Sequence, residues 1–148
     1  MKHTILYTAV VSALLLLCGC TEDATRVLIT TASGDTVSLA VAVARTPDQR
    51  NLGLMYRTSL PKERGMLFLF DEDKMQRFTM KNTYIPLDII FIDRSKKIIG
   101  WAENTTPFSK GPYRSEAPCR YVLEANAFFC KDNNVAKGDT VRFQGIYE

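Results

Sequence analysis

The chain has 148 residues, room for one ordinary domain. With 46% hydrophobic and 24% charged residues its composition is globular, which excludes an intrinsically disordered chain. Its 19 basic and 16 acidic residues leave a formal net charge of +3, too balanced for a dedicated nucleic-acid binder, and no basic run with interleaved aromatics occurs.

Lys2 and His3 form a short polar start, and Ile5 to Leu17 is almost wholly apolar. Such a run is too short to span about 30 Å of hydrocarbon, but it suits the apolar core of a signal peptide. It ends in Leu17-Cys18-Gly19-Cys20, which looks like a bacterial lipobox, with Gly19 just before the acceptor Cys20. The expectation is therefore a signal peptide over residues 1–19, an acylated Cys20 with a short tether over 20–25, and one β-rich domain over 26–148. Fatty acyl chains such as palmitate on Cys20 would hold the protein at a bacterial membrane, facing the periplasm or the cell exterior. The sole histidine, His3, falls in the leader. The processed chain would then lack Ser-His-Asp triads, Cys-His dyads and histidine-ligated zinc.

Arg26 to Thr30 reads as a strand, Ser33-Gly34-Asp35 as a turn, and Val37, Leu39, Val41 and Val43 as the buried side of a second strand with period 2. Thr46-Pro47-Asp48-Gln49 has the form of a capping box with proline at the first helical position, opening a short helix to about Met55. Gly65 to Phe70 is an apolar run of strand length, closed by an acidic turn, Asp71-Glu72-Asp73. Strands follow over Gln76 to Met80, Ile85 to Asp93 and Lys97 to Ala102. Glu103 to Pro118, with prolines at 107, 112 and 118, reads as a long loop, the kind that often carries function. Arg120 to Glu124 is a strand, Ala127 to Asn133 a short helix, and Thr140 to Tyr147 the last strand. The whole predicts a mainly β domain, α+β at the margin: a compact β-sandwich or barrel-like fold with one or two short helices.

Several of these blocks resemble the domain-of-unknown-function family 192. They are Gly53-Leu54-Met55-Tyr56-Arg57, Leu60-Pro61, Gly65-Met66-Leu67-Phe68-Leu69-Phe70, Phe78-Thr79-Met80-Lys81-Asn82-Thr83, Ile85 to Asp93, Tyr121-Val122-Leu123-Glu124 and Lys137-Gly138-Asp139. The resemblance runs from about Val41 to Val141 and implies a small β-sandwich of the kind often exported or lipid-anchored. It implies no function, because the family has none assigned. Two positions depart from the family pattern: Thr79 stands where a tryptophan is usual, and Phe128 where a glycine is usual.

Candidate site residues come from two places. Strand parity puts Asp88 on the same face as Ile90 and Ile92, where a carboxylate is desolvated or held by backbone N–H groups. Lys81 and Arg57 supply positive charge near it, and Asn82 an amide. The long loop offers Glu103, with Asn104, Thr105, Tyr113 and Arg114, a mixture suited to sugars or polar peptides. Glu103 and Glu124 could form a carboxylate pair of the glycosidase type if they came together. Cys119 and Cys130 are the possible disulfide in an oxidising compartment, although their Cα atoms must come within about 7 Å. The methionines lie in apolar runs and read as core packing, and no metal site or cofactor is expected.

The reading is a lipid-anchored envelope protein acting as a binding or accessory module. Its polar pocket would involve Arg57, Lys81, Asn82, Asp88 and Glu103. Its partners would be the membrane, through the lipid anchor, and an envelope glycan, peptide or protein. Two alternatives stand beside it: a histidine-free carboxylate hydrolase acting on a glycan or cell-wall substrate, and a protein–protein interaction module with no small-molecule site.

Overall fold

The computed structural model describes residues 25–147; the expected signal peptide over residues 1–19 and Cys20 lie outside the described residues. The chain runs β1 (Arg26–Thr30), β2 (Thr36–Ala44), α1 (Pro47–Leu52), β3 (Arg64–Lys74), β4 (Arg77–Phe78), β5 (Leu87–Ile92), β6 (Ile98–Ala102), β7 (Tyr113–Arg114), β8 (Cys119–Asn126), α2 (Phe129–Asp132) and β9 (Thr140–Gln144). Seven strands form one sheet in the order β6-β5-β8-β3-β2-β1-β9, and β4 with β7 forms a two-stranded sheet. The single parallel pair in the large sheet is β2 with β3, joined through α1, as a parallel pair requires a crossover.

The large sheet curls until its two edges meet at one end. Lys97 bridges Thr140, Ile98 N–H donates to the Asp139 carbonyl at 3.0 Å, and Val141 N–H to the Lys96 carbonyl at 2.8 Å. The result is a half-barrel, mainly β as the sequence predicted. Its inside is packed by alternate residues of all seven strands, among them Ile29, Leu39, Leu67, Ile90, Ile98, Leu123 and Val141, and one end is plugged by Phe129 and Cys130 of α2.

A second core forms on the other face of the central strands. Phe68, Leu87, Ile89, Phe91 and Val122 pack there beneath Leu54 and Met80, with Phe70, Phe78 and Tyr113 partly buried around them. Every residue of β5 is buried because this strand has a core on each side. The parity read from the sequence holds: Leu87, Ile89 and Phe91 face the second core, and Ile90 and Ile92 the first.

Local chemistry explains the main boundaries. Both halves of the Thr46/Gln49 capping box are present, Thr46 Oγ1 accepting from Gln49 N–H and Gln49 Oε1 from Thr46 N–H. α1 ends at Leu52, three residues earlier than predicted, because Gly53 takes φ +49 as its cap. Gly65 has a different reason to be glycine: a Cβ there would stand 2.7 Å from the Glu124 carbonyl oxygen of the neighbouring strand. Three segments differ from the sequence reading. β3 continues through Asp71-Glu72-Asp73 to Lys74, with an irregular register against β8 instead of a turn. The predicted strand from Gln76 to Met80 shrinks to Arg77–Phe78. The long loop contains Tyr113–Arg114, which pairs with that short strand and roofs the second core.

Candidate functional site

Asp88 sits near the start of β5 at the plugged end of the half-barrel and is 0% exposed. Its Oδ1 accepts from Asn104 N–H (2.9 Å) and Phe128 N–H (3.0 Å), and its Oδ2 from Cys130 N–H (2.9 Å). Phe128 and Cys130 open α2, whose own N-cap offers no side-chain bond, so the Asp88 carboxylate is the cap supplied from another strand. Three backbone N–H groups thus converge on it, and the Cys130 thiol lies beside it.

The other proposed residues lie around this end of the molecule without converging on one cavity. Arg57 and Lys81 are exposed, and Glu103 and Asn104 follow β6 on the surface. Asn82 ties two loops together: its side chain donates to Tyr56 Oη at 2.8 Å, and its carbonyl accepts from Tyr56 N–H at 2.8 Å. Glu103 and Glu124 do not form a pair. Glu124 is opposite Ile89, which faces the second core, whereas the Glu103 charge acts on Cys130, a residue of the first. The two cysteines are likewise separated by the sheet. Both thiols are free, Cys130 in the first core and Cys119 in the second, so the possible bridge is not formed. Burial raises both thiol pKa values, Cys130 the more strongly, with the nearby Asp88 adding to it.

The strongest site feature is Glu124. It lies in β8 between Leu123 and Ala125, which face the first core, so its own side chain points to the second. There it forms part of the wall of a cleft of about 470 Å³ between α1 and the β3–β4 region, with Phe68, Phe70, Phe78, Leu54, Arg50 and Arg77 among its neighbours. A volume of this size accommodates a small organic molecule. Glu124 is 6% exposed, and its Oε2 has no hydrogen-bond partner among the described residues. Burial alone pushes its pKa up to about 8, so the acid is protonated at neutral pH.

α1 carries Gly53 to the edge of this acid: a Cβ on Gly53 would stand 3.3 Å from the Phe68 ring and 3.8 Å from Glu124 Oε2. Arg50, the nearest cation on α1, is committed elsewhere. It donates to the Leu69 carbonyl at 2.9 Å and to the Arg45 carbonyl, and lies over the Phe70 ring at 5.2 Å. The sequence reading considered Glu124 only as a carboxylate of a hydrolase, alone or paired with Glu103. The available signal was its position in an otherwise apolar strand, Tyr121 to Ala125.

The fold and site define a class: a small β half-barrel carrying a cleft over a buried acid, one oxygen of which has no partner among the described residues. The chain belongs to the domain-of-unknown-function family 192, described as Uncharacterized ACR, whose model matches residues 28–143. It is similar to a protein from Sinorhizobium meliloti 1021 described as a candidate transcription regulator, at 43% identity and TM-score 0.79, covering 80% of this chain and 92% of that one. It is also similar to a protein of unknown function from Novosphingobium aromaticivorans DSM 12444, at 36% identity and TM-score 0.76, covering 79% of this chain and 83% of that one. No curated protein matches it.

Proposed function

We propose that this protein is a lipid-anchored envelope binding module whose ligand site is the cleft under α1, with Glu124 at its wall. One observation carries the reading. A buried carboxyl oxygen without a partner is costly, and a native fold ordinarily keeps such a group only where something else satisfies it. Asp88, Arg57, Lys81, Asn82 and Glu103 then shape the loops at one end of the barrel and contribute to the surface around them. The anchor part of the reading rests on the lipobox at Leu17-Cys18-Gly19-Cys20.

The test is a thermal-shift screen of the full chain in detergent against glycans, peptidoglycan fragments, peptides, amino compounds and small carboxylates. A ligand binding only the folded state at 100 times its dissociation constant adds about 2.7 kcal/mol, a rise of several degrees. Thr79 also lines the cleft, and Thr79→Trp narrows it. The expected result is a shift that this variant removes. A ligand whose effect survives Thr79→Trp unchanged would place binding elsewhere.

A second reading has its own observation. Tyr56, Tyr84, Phe108 and Phe128 are all exposed. Main-chain and Asp88 bonds gather their loops at the barrel end where β5 begins. Such an aromatic surface would suit a partner protein at the membrane. Crosslinking from Phe108 in intact envelopes tests it; labelling no stronger than from a position on β9 refutes it.

A further inference from the structure

We propose that the cleft binds an organic cation, an ammonium or guanidinium group on an apolar or aromatic body, with the Glu124 carboxylate as its counter-charge. The inference rests on the reading of the cleft as a ligand site and goes on to the chemistry of its occupant.

Three features of the wall favour a cation. First, the group at its base is an acid with an oxygen that meets no donor among the described residues. Ionised, a carboxylate only accepts hydrogen bonds, and a charged N–H donor is the partner that best holds it ionised away from water.

Second, the surrounding wall is aromatic. Phe68 and Phe78 meet edge to face with centroids 5.0 Å apart, and Phe70 and Phe78 at 6.4 Å. Rings of this kind attract cations placed over their faces, and the Arg50 guanidinium already sits 5.2 Å from the Phe70 centroid.

Third, no cation among the described residues pairs with Glu124. Arg50 is turned to the Leu69 and Arg45 carbonyls, and its nearest carboxylate is Asp71, at 3.9 Å. Arg77 is exposed, so solvent screens its charge.

Binding then has a definite proton balance. The empty site holds Glu124 as the neutral acid. On binding, the acid O–H bond breaks, one proton leaves to solvent, and the carboxylate pairs with the incoming cation. Because the free acid has a pKa of about 8, a cation of fixed charge should bind about tenfold more tightly per pH unit up to that value and level off above it. A ligand that accepts a bond from the neutral acid should behave oppositely, binding evenly below the same pH and more weakly above.

A matched pair of probes decides between them: (2-phenylethyl)guanidinium, which stays charged over the whole range, and 3-phenylpropionate. Both would be titrated into the full chain in detergent at pH 6, 7, 8 and 9, following the amide signals of residues 50–55 and 122–126 by NMR. The expected result is binding of the guanidinium with the rising pH profile, and loss of at least tenfold affinity and of the pH slope in Glu124→Gln. That variant keeps the shape and removes the ability to ionise, and its unperturbed amide spectrum elsewhere establishes that it is folded. Binding of the propionate with the falling profile would overturn the cation and keep the cleft as a ligand site. If neither probe moves the cleft signals, both the cation and the cleft reading fall.

Discussion

Asp88 and Glu124 are two buried carboxyl groups on adjacent strands of the same sheet, and they have opposite surroundings. Asp88 lies toward the inside of the half-barrel and collects three backbone N–H bonds from two other segments. Glu124 faces the second core, has an oxygen that collects none among the described residues, and borders a cleft. Burial is nearly the same for the two, 0% and 6% exposed. Burial alone therefore does not tell a structural acid from a site; the number of donors does. An acid fully engaged by the backbone holds elements in place, and an acid with an oxygen left over is available to a ligand.

The largest way to test this contrast is pH. The folded state holds the Glu124 proton to about pH 8, whereas the unfolded chain loses it near 4.5. Between these values the native state binds more protons, so stability is full below the lower one and falls as pH rises toward the upper, by on the order of 5 kcal/mol in all. Urea unfolding of the wild type and Glu124→Gln from pH 4 to 9 should show this slope in the former only. An equal slope in both would assign it to other groups.

Next comes Asp88→Asn, which keeps the shape but loses the charge and one acceptor, and leaves buried backbone donors unpaired. Its expected cost is roughly 3 to 4 kcal/mol at pH 7 by the same measurement, against a gain for Glu124→Gln at pH 8 and above. If the two substitutions shifted stability in the same direction at pH 8, the distinction between the two acids would fail.

Asp139 offers an intermediate case. It is buried and accepts from Ala32 N–H at 3.1 Å and Ala136 N–H at 2.7 Å. With two donors instead of three, Asp139→Asn should cost about 2 kcal/mol, placing the acids in order of their backbone bonds.

The smallest effect concerns Phe128, which delivers one of the N–H groups to Asp88 from a left-handed conformation at φ 66. A phenylalanine is strained there and a glycine is not. Phe128→Gly should therefore stabilise the protein by about 1 kcal/mol, a rise of about 4 °C in Tm, provided the bond to Asp88 is kept. Calorimetry checks it; a lower Tm would mean that the exposed ring packs more tightly against its surroundings than its place on the surface indicates.

Much of the secondary structure was legible because its causes are local. The capping box at Thr46-Pro47-Asp48-Gln49 names the start of α1 with residues three apart, and the alternation in β5 assigned Asp88 to the face of Ile90 and Ile92. The extent of β3 and the pair of β4 with β7 were not legible in the same way. Asp71-Glu72-Asp73 has the composition of a turn, and only pairing with β8 keeps the chain extended through it. Tyr113–Arg114 is a strand only because Arg77–Phe78 lies beside it.

The same division holds for the site. The sequence by itself determined the family blocks and the parity of β5, since each depends on residues near in the chain. It also placed a carboxylate at 124 inside an apolar strand, without saying whether that acid had a partner. Only the tertiary structure decided that Asp88 is met by N–H groups from residues 16 to 42 positions away, while α1, β3 and β4 close a cleft over Glu124. Whether a buried acid is satisfied depends on which distant donors reach it, and that is a property of packing across elements.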